Sequence, residues 1–300
     1  MTTADERLGH APVEILWILA HPDDESFGSA GTMAWASGSG RRIAHVCATR
    51  GEEGQIRESH LATRDSLGAV REQELRNAMA IVGLTELRFL GFRDSGMENT
   101  EANNDPRALI QQSPEVILTH LIGHIRDLRP STVVTFGPEG IYGHPDHVMI
   151  GKIATRAIEL AADETWFPDL QDPWQTQALY YAAAPREILE QFAALPENPF
   201  GEISDTSRRN LGTPSSEITH WLDVAPWLDQ KLHALAAHRT QIDTSELLGR
   251  DLTGHELLRY SREQYLRRPL PWDRSMEHRD VLDRAREEIG ASALQAPGAH

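Results

Sequence analysis

The sequence predicts an α/β fold: a Rossmann-like, doubly wound and mainly parallel sheet with helices on both faces, followed by a smaller C-terminal lobe. Three observations carry this prediction. Short continuous apolar runs alternate with amphipathic segments through the first 184 residues, as in β-α-β units whose strands are buried on both faces. Breaks such as Gly38-Ser39-Gly40, Gly83 and Arg129-Pro130 punctuate the alternation. From about Pro185 the regularity fades. The chain therefore reads as a core over 1–184 and a lobe over 185–300 that completes the fold and shapes the substrate pocket.

The elements follow in order. Ile15 to Ala20 is an apolar run of strand length, and a helix from about Glu25 to Ala36 ends at Gly38-Ser39-Gly40 before a second strand, Ile43 to Thr49. A helix from about Ser66 to Val82 leads through Gly83 to a third strand near Leu87 to Leu90. Ser113-Pro114-Glu115 combines a capping serine with a first-turn proline and opens a helix reaching Leu128, with Leu118, Leu121, Ile122 and Ile125 on one face. Arg129-Pro130 stops it. Thr132 to Phe136 is the fourth strand, followed by a helix from about Asp146 to Ala161 and a strand near Ala178 to Tyr181. Beyond this, Pro196 to Ser216 is rich in loop-forming residues, Glu217 to Val224 is a further strand, and helices lie near Pro226 to His238 and Ser275 to Ile289. The residues from Ala291 are expected to fray.

Composition narrows the function classes. Lysine plus arginine number 29 against 45 aspartate plus glutamate, and the resulting net charge of -16 argues against binding to nucleic acid or anionic membrane. The polar start, Met1 to Arg7, and the short apolar stretch Val13 to Ala20 carry no membrane span or signal pattern. A single cysteine, Cys47, can build neither an intramolecular disulfide nor a thiolate metal site, in keeping with a cytoplasmic protein. The partners expected are a small-molecule substrate and, optionally, further copies of the chain in a homo-oligomer.

Two strings carry the chemistry: His21-Pro22-Asp23-Asp24-Glu25 after the first strand, and Tyr142-Gly143-His144-Pro145-Asp146-His147 after the fourth. In a sheet ordered 3-2-1-4-5 those strands are neighbours, and ligands bind beyond their carboxyl ends. Singly, each string also reads as a turn with a helix cap. Together they offer two histidines and a carboxylate, His21, Asp24 and His147, the ligand set of a catalytic zinc with an open position. Iron(II) or another divalent metal accepts the same ligands, and a non-haem iron oxygenase shares the pattern. The spare Asp23 and His144 favour hydrolysis, Asp23 as general base and a protonated His144 beside the developing oxyanion.

These strings, with Arg93-Asp94-Ser95-Gly96-Met97 between them, resemble the LmbE/PIG-L family of zinc-dependent N-acetylglucosaminyl deacetylases over Ile15 to about Leu160. The resemblance implies a deacetylase acting on an N-acetylglucosamine-type sugar or its conjugate, with an amidase for a larger thiol or sugar conjugate as the alternative. It implies His21, Asp24 and His147 as metal ligands and Asp23 as the base. It further implies His144 as the oxyanion-stabilising histidine, Asp146 as the group that holds it in its useful protonation state, Tyr142 as a mobile carbonyl-polarising group, and Arg71 and Asp94 as substrate-holding residues. Where family members often carry a second glycine before the tyrosine, this chain has Ile141, so its loop is expected to be stiffer.

Other features have simpler readings. His120 and His124, four apart on a helix, read as an exposed face. Arg50-Gly51-Glu52-Glu53-Gly54 follows the second strand and reads equally as part of the same crevice or as a solvated charged turn. Trp221, Trp227 and Trp272 read as core or interface, and Arg267-Arg268 as surface charge. His238-Arg239-Thr240-Gln241 lies just beyond a helix, and spacing alone does not say whether it reaches the pocket. There is no Gly-x-Ser-x-Gly turn for a serine hydrolase, and Gly28 and Gly31 do not complete a dinucleotide fingerprint.

Overall fold

A computed structural model describes residues 11–194, 207, 210–249, 251–273 and 279–290. Most of the expected loop over Pro196 to Ser216, the start of the helix expected at Ser275 and the residues from Ala291 lie outside these.

The centre is a seven-stranded sheet in the order β3-β2-β1-β4-β5-β7-β6. The first five strands are β1 (Ile15–Leu19), β2 (Ile43–Thr49), β3 (Glu86–Phe92), β4 (Thr132–Phe136) and β5 (Ala178–Ala183). They pair in parallel and reproduce the expected 3-2-1-4-5 arrangement. β1, β2 and β4 are buried at every position, as their continuous apolar sequences require. The crossovers carry α3 (Leu67–Val82), α4 (Pro114–Leu128) and α6 (Pro145–Ala161). Ser113 caps α4 as expected, its side chain accepting from the Val116 amide, and Gly83 ends α3 in the left-handed conformation.

Two differences from the sequence expectation have physical causes. The single helix expected from Glu25 to Ala36 is two, α1 (Asp24–Gly28) and α2 (Ala30–Gly38), because Ser29 breaks the spiral with φ -148 and ψ -6. The amides freed at the start of α2, those of Gly31 and Thr32, donate to the Glu263 carboxylate at 2.9 and 2.8 Å. Glu263 belongs to the second difference, the unanticipated strand β7 (Arg262–Arg268), which lies antiparallel between β5 and β6 (His220–Asp223). Four charged side chains, Arg262, Glu263, Arg267 and Arg268, disguise it. Glu263 is fully buried against Lys231, 2.7 Å away, and Arg267 pairs with Asp280 rather than standing as surface charge.

The residues after 184 also supply α7 (Arg186–Ala193), α8 (Leu228–Ala237), α9 (Thr244–Leu247), α10 (Gly254–Ser261) and α11 (Val281–Ile289). Trp227 and Trp272 pack partly buried against the main core, and Trp272 donates to the Thr176 carbonyl. Among the described residues, no helix is long and apolar enough to cross a membrane.

Candidate functional site

Both strings lie at the carboxyl edge of the sheet, where β1 and β4 run side by side. The first begins as β1 ends. Asp23 takes φ 115, a backbone conformation that L-residues seldom adopt, and its carbonyl accepts from the amides of Ser26 and Phe27 to start α1. The second follows a one-turn helix, α5 (Gly140–Gly143), inside which Ile141 sits at φ 64, ψ -60. A β-branched residue is strained there, and the Gly212 amide holds the Ile141 carbonyl at 2.6 Å. His144 caps α6, Pro145 fills its first position, and Asp146 and His147 occupy its first turn.

Three candidate ligand side chains converge. His21 Nδ1 is 3.2 Å from His147 Nε2, which is 3.2 Å from Asp24 Oδ1, while Asp24 Oδ2 lies 3.6 Å from His21 Nδ1. Ligands about 2.1 Å from a tetrahedral ion are about 3.4 Å apart, so these separations suit one cation. His21 Nε2 donates to Asp146 Oδ2 at 3.1 Å, which turns Nδ1 towards the other ring. Two imidazole nitrogens at that distance need a cation or proton between them. The residues present therefore fit a divalent metal. His144 joins a wider grouping with His21 and His147, its ligand atom within 4.8 Å of theirs, but Asp24 approaches more closely.

The surrounding side chains set the electrostatics. Burial raises the Asp24 carboxyl, but the His147 and His21 rings overcome this and hold it well below the carboxylate range. Asp94 is held down in the same way, chiefly by His21 against its burial. Asp23 moves oppositely, to about 6, because burial and the neighbouring Asp24 outweigh the Arg71 guanidinium. Burial, with His21 and His147 beside it, pushes the His144 ring well below its ordinary value.

Each sequence-predicted residue reaches this crevice, with altered partners in three cases. The Asp146 carboxylate accepts from His21 and from the Ser95 amide at 2.9 Å, and its contact with His144 runs instead from its own backbone amide to Nδ1 at 3.2 Å. That bond makes Nδ1 an acceptor, and burial beside His21 and His147 lowers the ring's pKa, both of which run against the cation expected from the sequence. Arg71, 3% exposed, is committed to the Pro22 and Gly51 carbonyls at 2.5 and 2.7 Å and to Asp23 Oδ2 at 3.0 Å. A Cβ on Gly51 or Gly54 would collide with that guanidinium, which explains both glycines. Asp94 accepts from the Glu53 and Gly96 amides, so the Arg50 to Gly54 turn does line the crevice. The Tyr142 ring is edge-on to His147, centroids 5.0 Å apart.

The model of the GlcNAc-PI de-N-acetylase (PIG-L) family matches residues 16–158. A 1D-myo-inositol 2-acetamido-2-deoxy-α-D-glucopyranoside deacetylase of Geodermatophilus obscurus is 35% identical over 269 residues, covering 83% of this chain and 92% of the relative. The chain belongs to the PIG-L family. Among solved structures, the N,N'-diacetylchitobiose deacetylase of Pyrococcus horikoshii superposes with a TM-score of 0.55 at 18% identity, covering 78% of this chain and 72% of its own. The 4-carboxy-2-hydroxymuconate hydratase of Pseudomonas putida gives 0.56 at 17%, covering 88% of this chain and 99% of its own. At such identities the likeness is one of fold, and the hydratase carries that fold with a different activity.

Two groups beside this PIG-L crevice carry sequence signals that reading by motif does not use. Glu25 ends the first string but is fully buried, and its partner His238 comes from the far end of the chain, a pairing that only tertiary contact reveals. His120 and His124 stay apart from the site. The His120 ring meets Phe92, His124 Nδ1 bonds to Arg88 at 3.1 Å, and neither falls in a metal-holding group among the described residues. A cavity of ≈ 350 Å³ beside them, lined in part by Arg88 and Asp127, contains none of the crevice residues.

Proposed function

We propose that this protein hydrolyses the N-acetyl amide of a glucosaminyl sugar or conjugate, using a zinc or similar divalent ion held by His21, Asp24 and His147. The observation that carries the reading is the convergence of those three side chains, each pair with ligand atoms within 3.6 Å, beside the Asp23 carboxylate. The relatives' names, which specify a 2-acetamido-2-deoxy-glucopyranoside linked to inositol, support the substrate class.

A divalent cation there supplies Lewis acidity and lowers the pKa of water from roughly 15.7 towards about 7. Asp23 takes the proton of the attacking water and returns it to the amide nitrogen as the C–N bond breaks, releasing acetate and the free amine. Arg71 aims the Asp23 carboxylate through its bond to Oδ2 and contacts substrate less directly than a free arginine would. His144, with Nδ1 occupied by the Asp146 amide, directs its Nε2–H at the oxyanion as a neutral donor. Asp146 acts on His21 and fixes its tautomer. Tyr142, its phenol held protonated by burial, contributes an O–H beside His147, and Asp94 retains lone pairs for a sugar hydroxyl.

The test is acetate release from N-acetylglucosamine and from its inositol glycoside, with protein stripped by chelator and then reloaded with zinc. Activity that disappears on stripping and returns on reloading is expected. No acetate from any N-acetyl amino sugar with metal-replete protein would overturn the reading.

A further inference from the structure

We propose that His238, just beyond α8, is a positioning residue for Asp23 and acts through the buried Glu25 carboxylate. This rests on the reading of Asp23 as general base. Asp23 stands at φ 115, so its direction depends on contacts that hold an unfavourable backbone in place. One contact is the Asp23 amide, which donates to Glu25 Oε2 at 3.0 Å. A second is Arg71 on the Asp23 carboxylate.

Glu25 can serve only if its own carboxylate is fixed. It is fully buried on a five-residue helix, where an unpaired charge is unfavourable. Its Oε1 accepts from the Ser26 hydroxyl at 2.5 Å and from His238 Nε2 at 2.9 Å. Among the described residues, His238, also fully buried, is the one cation-capable group bonded to it. With the imidazole gone, Glu25 keeps a single hydroxyl on Oε1 and its carboxylate is free to turn, so the Asp23 amide loses a fixed acceptor.

The same segment braces the second contact. The Thr240 amide and hydroxyl both bond to Glu74 on α3, at 2.8 and 2.6 Å, one turn beyond Arg71. The Gln241 side chain donates to the Gln55 carbonyl, and Arg57 donates to the Gln241 carbonyl, which ties in the loop after Gly51. Backbone and carboxylate of Asp23 are thus both referred to residues 238–241, beyond the part of the chain that the family model matches.

The test uses the geometry of the ring. A glutamine amide nitrogen falls near the position of Nε2 and an asparagine nitrogen near that of Nδ1, so His238→Gln can bond to Glu25 and His238→Asn cannot. With zinc-loaded full-length protein and N-acetylglucosamine as substrate, H238Q is expected within threefold of the parent kcat. H238N is expected at least tenfold below it, with KM within twofold and zinc content unchanged in both. Equal kcat in the two variants, or a KM and zinc content that fall together with kcat, would mean a general packing role and would overturn the proposal. If H238N does not fold, Glu25→Gln carries the test: loss of kcat with KM and zinc retained supports the proposal, and parent-like kcat overturns it. Asp23→Asn is measured alongside. Full turnover in D23N removes the base reading itself, whereas loss in D23N with parent-like H238N removes only the positioning role.

Discussion

His21 Nε2 and Asp146 Oδ2 lie 3.1 Å apart, and this bond joins two strings separated by 125 residues. It fixes the face that His21 presents to its neighbours, since the nitrogen bonded to Asp146 turns the other towards His147 and Asp24. Asp146 also accepts from the Ser95 amide, so the orienting group is itself oriented.

Removing that acceptor should loosen the metal before it touches the chemistry. Asp146→Ala is expected to weaken zinc binding about 10- to 100-fold, the usual range for loss of a carboxylate behind a ligating histidine. Competition against a chromophoric chelator measures this, and an unchanged affinity would show that His21 needs no such support.

Asp23→Asn preserves shape and removes the base. Turnover is expected to fall about 10²- to 10⁴-fold, or about 2.7 to 5.4 kcal/mol of barrier, with one zinc per chain retained. Near-parent rates in the metal-replete variant would eliminate Asp23 as the proton acceptor.

The Lys231–Glu263 pair lies within the protein, both side chains nearly inaccessible. Lys231→Met strands the carboxylate, although the Gly31 and Thr32 amides and the Thr32 hydroxyl still bond to it. A loss of about 3 kcal/mol is expected, the lower end of the range for breaking a buried pair from one side. Urea unfolding should find the double variant K231M/E263Q more stable than K231M. The reverse order would mean that Glu263 is held well enough by α2 alone.

His124 makes stability depend on acid. Burial and the adjacent Arg88 push its ring from 6.5 down to about 4, so the unfolded chain binds a proton between those values and the folded chain does not. The stability from this group is complete above pH 6.5, falls as the pH drops towards 4 and then levels off. Between pH 7 and 5 the effect is at most about 2 kcal/mol. His124→Asn keeps an acceptor for Arg88 without the titration and should lose less Tm over that interval than the parent. Parallel Tm curves would exclude His124 as a source of acid sensitivity.

The sequence by itself determined the parallel half of the sheet and the place of the site. β1, β2 and β4 are continuous apolar runs, α4 is announced by Ser113-Pro114, and α3 ends at Gly83, all signals that act within a few residues. Because β1 and β4 had to be neighbours, the same local signals brought His21, Asp23, Asp24, His144 and His147 to one crevice. Only the tertiary structure decided what depends on groups distant in the chain. β7 reads as polar because Glu263 finds its cation in α8 and its amides in α2. The expected helix after Glu25 breaks at Ser29 where that carboxylate can receive the freed amides. Asp146 turns to His21 rather than His144, Arg71 is spent on Asp23, and His238 reaches Glu25 across 213 residues. A buried charge is tolerable only where a partner meets it, and the partner's position is a property of the folded chain.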